Sequence, residues 1–188
     1  MPNNQDFSTQ IEELLPKAWK EGIQPWRNLE GIEELFEVGL ASLRGGKRTR
    51  ARLAQTGFAA ISGGQATPPR GVYDLAIALE IYQASALVHD DIIDNAPLRR
   101  GKDATHISFT KNHQAGNRQG NSTEYGKMAG ILLGDVLLAV ADYYAFNVAS
   151  TLETGYEFFT NWTEMTREVG VGQYLDLRLE TDNLDPAT

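Results

Sequence analysis

Residues 72–94, VYDLAIALEIYQASALVHDDIID, carry Ala, Ile and Leu at nearly every angle of a helical wheel. A helix with so little polar face has to be surrounded by other elements, which places it at the centre of a bundle. Pro68-Pro69 opens the segment and Asn95-Ala-Pro97 closes it, so the spacing predicts a helix over about 70–95. The covering elements also have a helical period. Ser8 is placed to cap a first helix, with Ile11, Leu14, Leu15, Ala18 and Trp19 on one face and Pro16 as a point of kinking. A second helix is expected over 29–43, stopping at Gly45-Gly46, and a third over 49–61, stopping at Gly63-Gly64. Two more are expected over 123–149 and 155–179, with the polar, Gly- and Asn-rich stretch 108–122 as a surface loop. No strand and no internal repeat is legible, and the expected fold class is all-α.

The chain has 188 residues, the size of one domain. It has no cysteine, which excludes a disulfide framework, a thiolate metal site and a cysteine nucleophile. The net charge of −8 argues against binding nucleic acid through bulk positive charge. The N-terminal MPNNQDFSTQ lacks the basic and apolar regions of a signal peptide. The most apolar stretch, residues 129–141, is shorter than the roughly 20 residues needed to cross a bilayer and is interrupted by Asp135. The reading is a cytoplasmic protein with no membrane span.

The central helix ends in His89-Asp90-Asp91-Ile92-Ile93-Asp94. Residues four apart share a helix face, so Asp90 and Asp94 project together with Asp91 on the flank. Like charges at this spacing destabilise a helix, and the C-terminal end of its dipole opposes anions. Breaking both rules at once implies a compensating cation. All-oxygen ligation suits a hard ion such as Mg²⁺, held by one or two carboxylates and by substrate phosphates.

Eight of the 17 basic residues fall in two short segments. Arg44, Lys47, Arg48, Arg50 and Arg52 follow or flank a Gly-Gly turn that runs into a helix start, where exposed N–H groups and cationic heads suit a phosphate. Arg99, Arg100 and Lys102 follow the carboxylates, and guanidinium groups match phosphate oxygens two at a time. Taken together, the segments suggest a metal-bridged diphosphate site beside a second, metal-free one.

At this point the chain resembles a trans-prenyltransferase of the polyprenyl (isoprenyl) diphosphate synthase family, in its N-terminal part and closest to geranylgeranyl-forming members. GGKRTRA (45–51) is similar to that family's GGKRxRP, and ALVHDDIIDNAPLRRG (86–101) to its first aspartate-rich motif and arginine pair. GILLGDVLLA (130–139) resembles its helix with a Gly-Asp step, and GQYLDL (172–177) its GQxxDL. The resemblance implies a helical isoprenoid synthase bundle with a central cavity, formed by a single domain over residues 1–188. It implies a homodimer that joins isopentenyl diphosphate to an allylic diphosphate. Asp90 and Asp94 would be the Mg²⁺ ligands, with Asp91 and Arg99 completing the catalytic group and Arg99 on the allylic diphosphate. Lys47, Arg50 and Arg100 would hold isopentenyl diphosphate, Gln83 would donate to a phosphate, and Gln173 and Asp176 would lie near the allylic site. Ser85 and Ala86 occupy the positions that floor the cavity, with Tyr82 about a turn further on. Small residues there imply a geranylgeranyl or longer product. A non-catalytic or half-site partner of a complete synthase and a terpene cyclase are the alternatives; a cyclase needs no second diphosphate site, so Lys47 and Arg50 speak against it.

The chain departs from the family pattern at Ala51 and in its C-terminal part. Ala51 stands where the family has Pro, with little effect expected. His106 and His113 are read as loop residues and His89 as a packed neighbour of the carboxylates. No second aspartate-rich motif follows Asp94, and Asp182, Asn183 and Asp185 lack its context. The expectation is therefore a domain incomplete at its C-terminus.

Overall fold

The computed structural model describes residues 6–64 and 67–181; Asp182, Asn183 and Asp185 lie outside the described residues. In chain order the elements are α1 (Phe7–Gly22), a 3-10 turn (Gln24–Trp26), α2 (Ile32–Ser42), α3 (Thr49–Ile61) and α4 (Arg70–Ile93). They continue with β1 (Leu98–Arg99), β2 (Lys102–Asp103), α5 (Thr105–Ala115), α6 (Ser122–Ala149) and α7 (Gly155–Thr181). Among the described residues the fold is all-α apart from one hairpin of two-residue strands, β1 against β2. The chain divides into two compact units, residues 1–144 and 145–188.

In the first unit α4 is the axis, packed against α1, α3 and α5. Ala76, Ile77, Ala78, Ile81, Ala84 and Val88 are buried along it, as an all-round apolar helix requires. Phe7, Ile11, Leu15, Ala18 and Trp19 are the buried stripe of α1. Trp19 is fully enclosed and donates its indole N–H to the Phe36 carbonyl on α2, so its one polar atom is satisfied. Gly39 makes room for it: a Cβ there would stand 2.4 Å from the Trp19 ring. In the second unit Trp162 is buried, and Phe146 meets Phe159 edge to face.

Several expectations are corrected. Ser8 lies inside α1, and the residue at its N-cap is Asp6, with no side-chain capping bond. Pro16 sits within α1 without ending it. The expected loop over 108–122 is mostly helical: α5 runs to Ala115 and α6 begins at Ser122. Its polar sequence hid it, because α5 buries only Thr105, His106, Phe109 and His113 and has no continuous apolar face. The histidines 106 and 113 are thus buried helix residues rather than loop residues. The hairpin at 98–103, where no strand was legible, turns through Arg100 and Gly101, both with positive φ (55° and 74°). Lastly, α6 is 28 residues long and α4 is 24, so both meet the length and composition of a membrane-crossing helix. Of their most apolar windows, 44% and 50% respectively are buried within the protein.

Candidate active site

The site is built at the C-terminal end of α4 and the N-terminal end of α3. Helical geometry persists through Asp94, whose N–H donates to the Asp90 carbonyl at 2.9 Å. Asp90 and Asp94 therefore keep the one-turn spacing read from the sequence. Asp94 is exposed and Asp90 partly so. Asp91 points the other way and is buried. Arg99, on β1, donates from Nε to Asp91 Oδ1 at 2.8 Å, bonds the same oxygen from Nη2, and reaches Asp90 Oδ2 at 3.2 Å. The Asp91 hydrogen bond is the main cause holding the Arg99 guanidinium above its ordinary pKa. Asp91 thus anchors the hairpin to α4 and aims Arg99 at Asp90.

Arg100 joins the second basic segment to the first. Its Nη1 donates to the Gly45 carbonyl at 2.7 Å and to the Arg44 carbonyl at 3.2 Å. Gly46 is required for this approach: its φ is 108°, and a Cβ would stand 2.8 Å from the Arg100 guanidinium. Two segments more than 50 residues apart in sequence thereby share one end of the first unit. Behind them lies a pocket of about 500 Å³ reached by Arg44, Arg99, Arg100 and Lys102, with Asp91 and Asp103.

Within the turn 45–50 the basic residues separate into two kinds. Arg48, counted above with the phosphate-binding group, is buried at 6% exposure and bonded to Glu12, Glu80 and the Leu43 carbonyl. It is a structural cation. Lys47 and Arg50 are exposed, and among the described residues the side chain of neither makes an ion pair. Burial pushes the Tyr82 hydroxyl above its usual pKa, and the Arg50 charge partly opposes this. Gln83 is half-buried. Ser85 is fully packed, its hydroxyl donating to the Gly134 carbonyl of α6 at 2.8 Å, so it seals the α4–α6 contact; Ala86 is partly exposed and Tyr82 buried. His89 reaches the Ile131 carbonyl at 3.1 Å and lies 3.5 Å from Asp135. Gln173 and Asp176 lie on α7 in the second unit.

The donor chemistry at Asp90 and Asp94 fits a hard divalent cation. Among the described residues no cluster of three or more His, Cys, Asp or Glu converges as a closed metal cage. Two carboxylates on an open helix end are what a cation that keeps water and phosphate ligands requires. Sequence reasoning missed Glu12 and Glu80. The signal for Glu80 was a single carboxylate in an otherwise uncharged run, residues 75–88.

Comparison with known proteins fits this geometry. The polyprenyl synthetase family profile matches residues 32–188. The chain belongs to the polyprenyl synthetase family. It is 33% identical over 161 residues to geranylgeranyl pyrophosphate synthase 9, chloroplastic, of Arabidopsis thaliana, covering 82% of this chain and 39% of that protein. The crystal structure of geranylgeranyl pyrophosphate synthase from Corynebacterium glutamicum, complexed with isoprenyl diphosphate and magnesium, superposes with a TM-score of 0.76 at 31% identity. That match covers 94% of this chain and 52% of the other. The fold is shared with T. brucei farnesyl diphosphate synthase, at a TM-score of 0.69 and 19% identity. The chain thus spans between two fifths and about half of the length of these family members.

Proposed function

We propose that the protein is a prenyltransferase that extends an allylic diphosphate with isopentenyl diphosphate, giving a geranylgeranyl or longer product. The observation that carries this is the meeting of the two basic segments at the aspartate helix: Arg99 is tied to Asp90 and Asp91, and Arg100 to the 44–45 carbonyls. Exposed Lys47 and Arg50 then offer a metal-free grip for one diphosphate, and Asp90 with Asp94 a metal-dependent grip for the other.

Asp90 and Asp94 would hold Mg²⁺, which when bound neutralises charge on a departing diphosphate. The protein's own groups do the rest. Arg99 is held beside Asp90 by Asp91, where it is positioned to donate to the allylic diphosphate as the allylic C–O bond breaks. Lys47 and Arg50 hold isopentenyl diphosphate by its phosphates, with Gln83 as a further donor. Its double bond attacks the allylic carbon, and a proton is lost to restore the alkene. Ala86, with Tyr82 beyond it, sets the room for the growing chain; Ser85 contributes only its small size, because its hydroxyl is committed to α6. A homodimer in solution is part of the same reading, supported by apolar side chains exposed on α6, among them Ile131, Leu132 and Tyr143.

The test separates the two grips. Farnesyl diphosphate should bind in a Mg²⁺-dependent way that Asp90→Asn with Asp94→Asn abolishes. Isopentenyl diphosphate should bind without metal and be lost in Lys47→Ala with Arg50→Ala. Metal-independent binding of both ligands, unaffected by the aspartate substitutions, would refute the reading. In product analysis Ala86→Phe should shorten the product; an unchanged distribution removes Ala86 from the chain-length role.

A further inference from the structure

Glu80 is the only charged residue between Asp74 and His89 on α4, and the reaction above makes no use of it. It is buried at 8% exposure. Its Oε2 accepts from Arg48 Nη1 at 3.3 Å, and its Oε1 from the Ala51 N–H at 3.1 Å. Ala51 is the third residue of α3, so this N–H is one that a helix start leaves without an intrahelical acceptor. Arg48 precedes α3 in a left-handed conformation, φ 49°, that arginine seldom adopts. Gly45 and Gly46 also have positive φ, of 75° and 108°. A turn of this kind persists only when its surroundings over-determine it. Here α1 contributes Glu12, which accepts from Arg48 Nε at 2.5 Å and from the Gly45 N–H at 3.1 Å, and α4 contributes Glu80.

A buried ion pair is a poor source of net stability, because desolvation offsets much of the attraction. Its directional bonds, however, fix geometry. Lys47 and Arg50 flank Arg48 in this turn, while Gln83 and Asp90 follow Glu80 on the same rigid helix. We infer that Glu80 is a positioning residue: without touching a diphosphate, it fixes the start of α3 against α4 so that Lys47 and Arg50 converge with Gln83 on one phosphate ligand. Arg48 is the strut between them. This rests on the assignment of Lys47 and Arg50 to isopentenyl diphosphate.

The experiment is calorimetric binding of isopentenyl diphosphate in the absence of divalent metal. The unmodified protein is compared with Glu80→Ala, Glu80→Gln and the double variant Lys47→Ala with Arg50→Ala, each shown to be folded by circular dichroism at the assay temperature. Glu80→Ala should weaken binding by about tenfold or more, the scale expected when fixed donors drift by ~1 Å. Glu80→Gln keeps a carbonyl acceptor for the Ala51 N–H and should recover part of the loss while remaining about threefold weaker than the unmodified protein. Amide exchange at Ala51 should quicken in Glu80→Ala and not in Glu80→Gln. A purely stabilising residue would lower the melting temperature and leave the affinity of the folded protein unchanged. Folded Glu80 variants that bind as the unmodified protein does, while the double variant does not, overturn the positioning role alone. If the double variant also binds normally, the diphosphate assignment has failed and the positioning role with it. Where Glu80→Ala does not fold, Glu80→Gln decides by the same criterion.

Discussion

Asp91 and His106 show how single buried groups shape this site. Asp91 is a carboxylate inside the protein whose charge is met by Arg99. Removing one partner of such a pair strands the other. Arg99→Ala is therefore expected to cost about 2 kcal/mol or more of stability, besides any loss of diphosphate binding. Arg99→Lys should recover little, since an ammonium lacks the fork that spans Asp91 and Asp90; urea denaturation checks both, and full recovery by lysine would contradict the forked geometry. His106 lies on α5, its Nδ1 buried and without a hydrogen-bond partner in the described residues. Burial is the main cause holding its pKa below the ordinary 6.5, with Asp91 opposing and Lys127 assisting. A depressed folded-state pKa means the unfolded chain binds the proton more readily. Its contribution is thus complete above pH 6.5 and lost as pH falls below that value. His106→Phe keeps the ring and removes both the titration and the unpaired nitrogen. Its stability at pH 8 should match or exceed that of the unmodified protein, and its decline between pH 6.5 and 5 should be shallower. An unchanged acid slope would assign the decline to other groups.

At the scale of elements, α6 packs closely because of a row of three glycines. Gly126, Gly130 and Gly134 recur every four residues and so lie on one face. A Cβ would meet the His106 carbonyl 2.4 Å from Gly126, Ile92 2.8 Å from Gly130, and the His89 ring 2.2 Å from Gly134. The row therefore admits α5 and the last turns of α4, the turns that carry the aspartates. Gly134→Ala should destabilise the protein by about 1–3 kcal/mol, the range for overpacking, even though alanine favours a helix. Because His89 immediately precedes Asp90, the same change should weaken Mg²⁺-dependent diphosphate binding. A rise in melting temperature would show that His89 moves aside freely and that helix propensity decides. The opposite case is Ala51. The family's proline has no N–H to offer Glu80, whereas Ala51 uses it. The substitution is thus compensated by a specific bond, where the sequence suggested only a tolerated replacement.

For the whole molecule, what was legible in the sequence depended on how local the determining interactions are. The bounds of α3 were readable because glycine pairs stand on both sides, and α4 because its composition leaves no solvent face. The spacing of Asp90 and Asp94 needed only a helix. Helix α5 was illegible because it buries few apolar residues, and its place is set by packing against α2 and α4. The division of labour among Arg48, Lys47 and Arg50 was also illegible, because it depends on Glu80, 32 residues away. Charge follows the same rule at larger scale. The chain carries −8 overall, yet eight of its 17 basic residues fall within residues 44–52 and 99–102, two segments that Arg100 ties together. The two fields differ in range. At about 0.01 M salt the screening length is ~30 Å, so an approaching diphosphate experiences the net negative charge of the whole chain. At about 0.1 M it shrinks to ~10 Å, and the nearby cations dominate. At about 1 M it is ~3 Å, and even those contacts are weakened. Affinity for inorganic diphosphate should therefore pass through a maximum near 0.1 M salt instead of falling throughout. Titrations across this range at pH 8 test the argument: a steady decline from the lowest salt would mean that the basic cluster outweighs the acidic surface at every distance, and that the net charge plays no part in ligand capture.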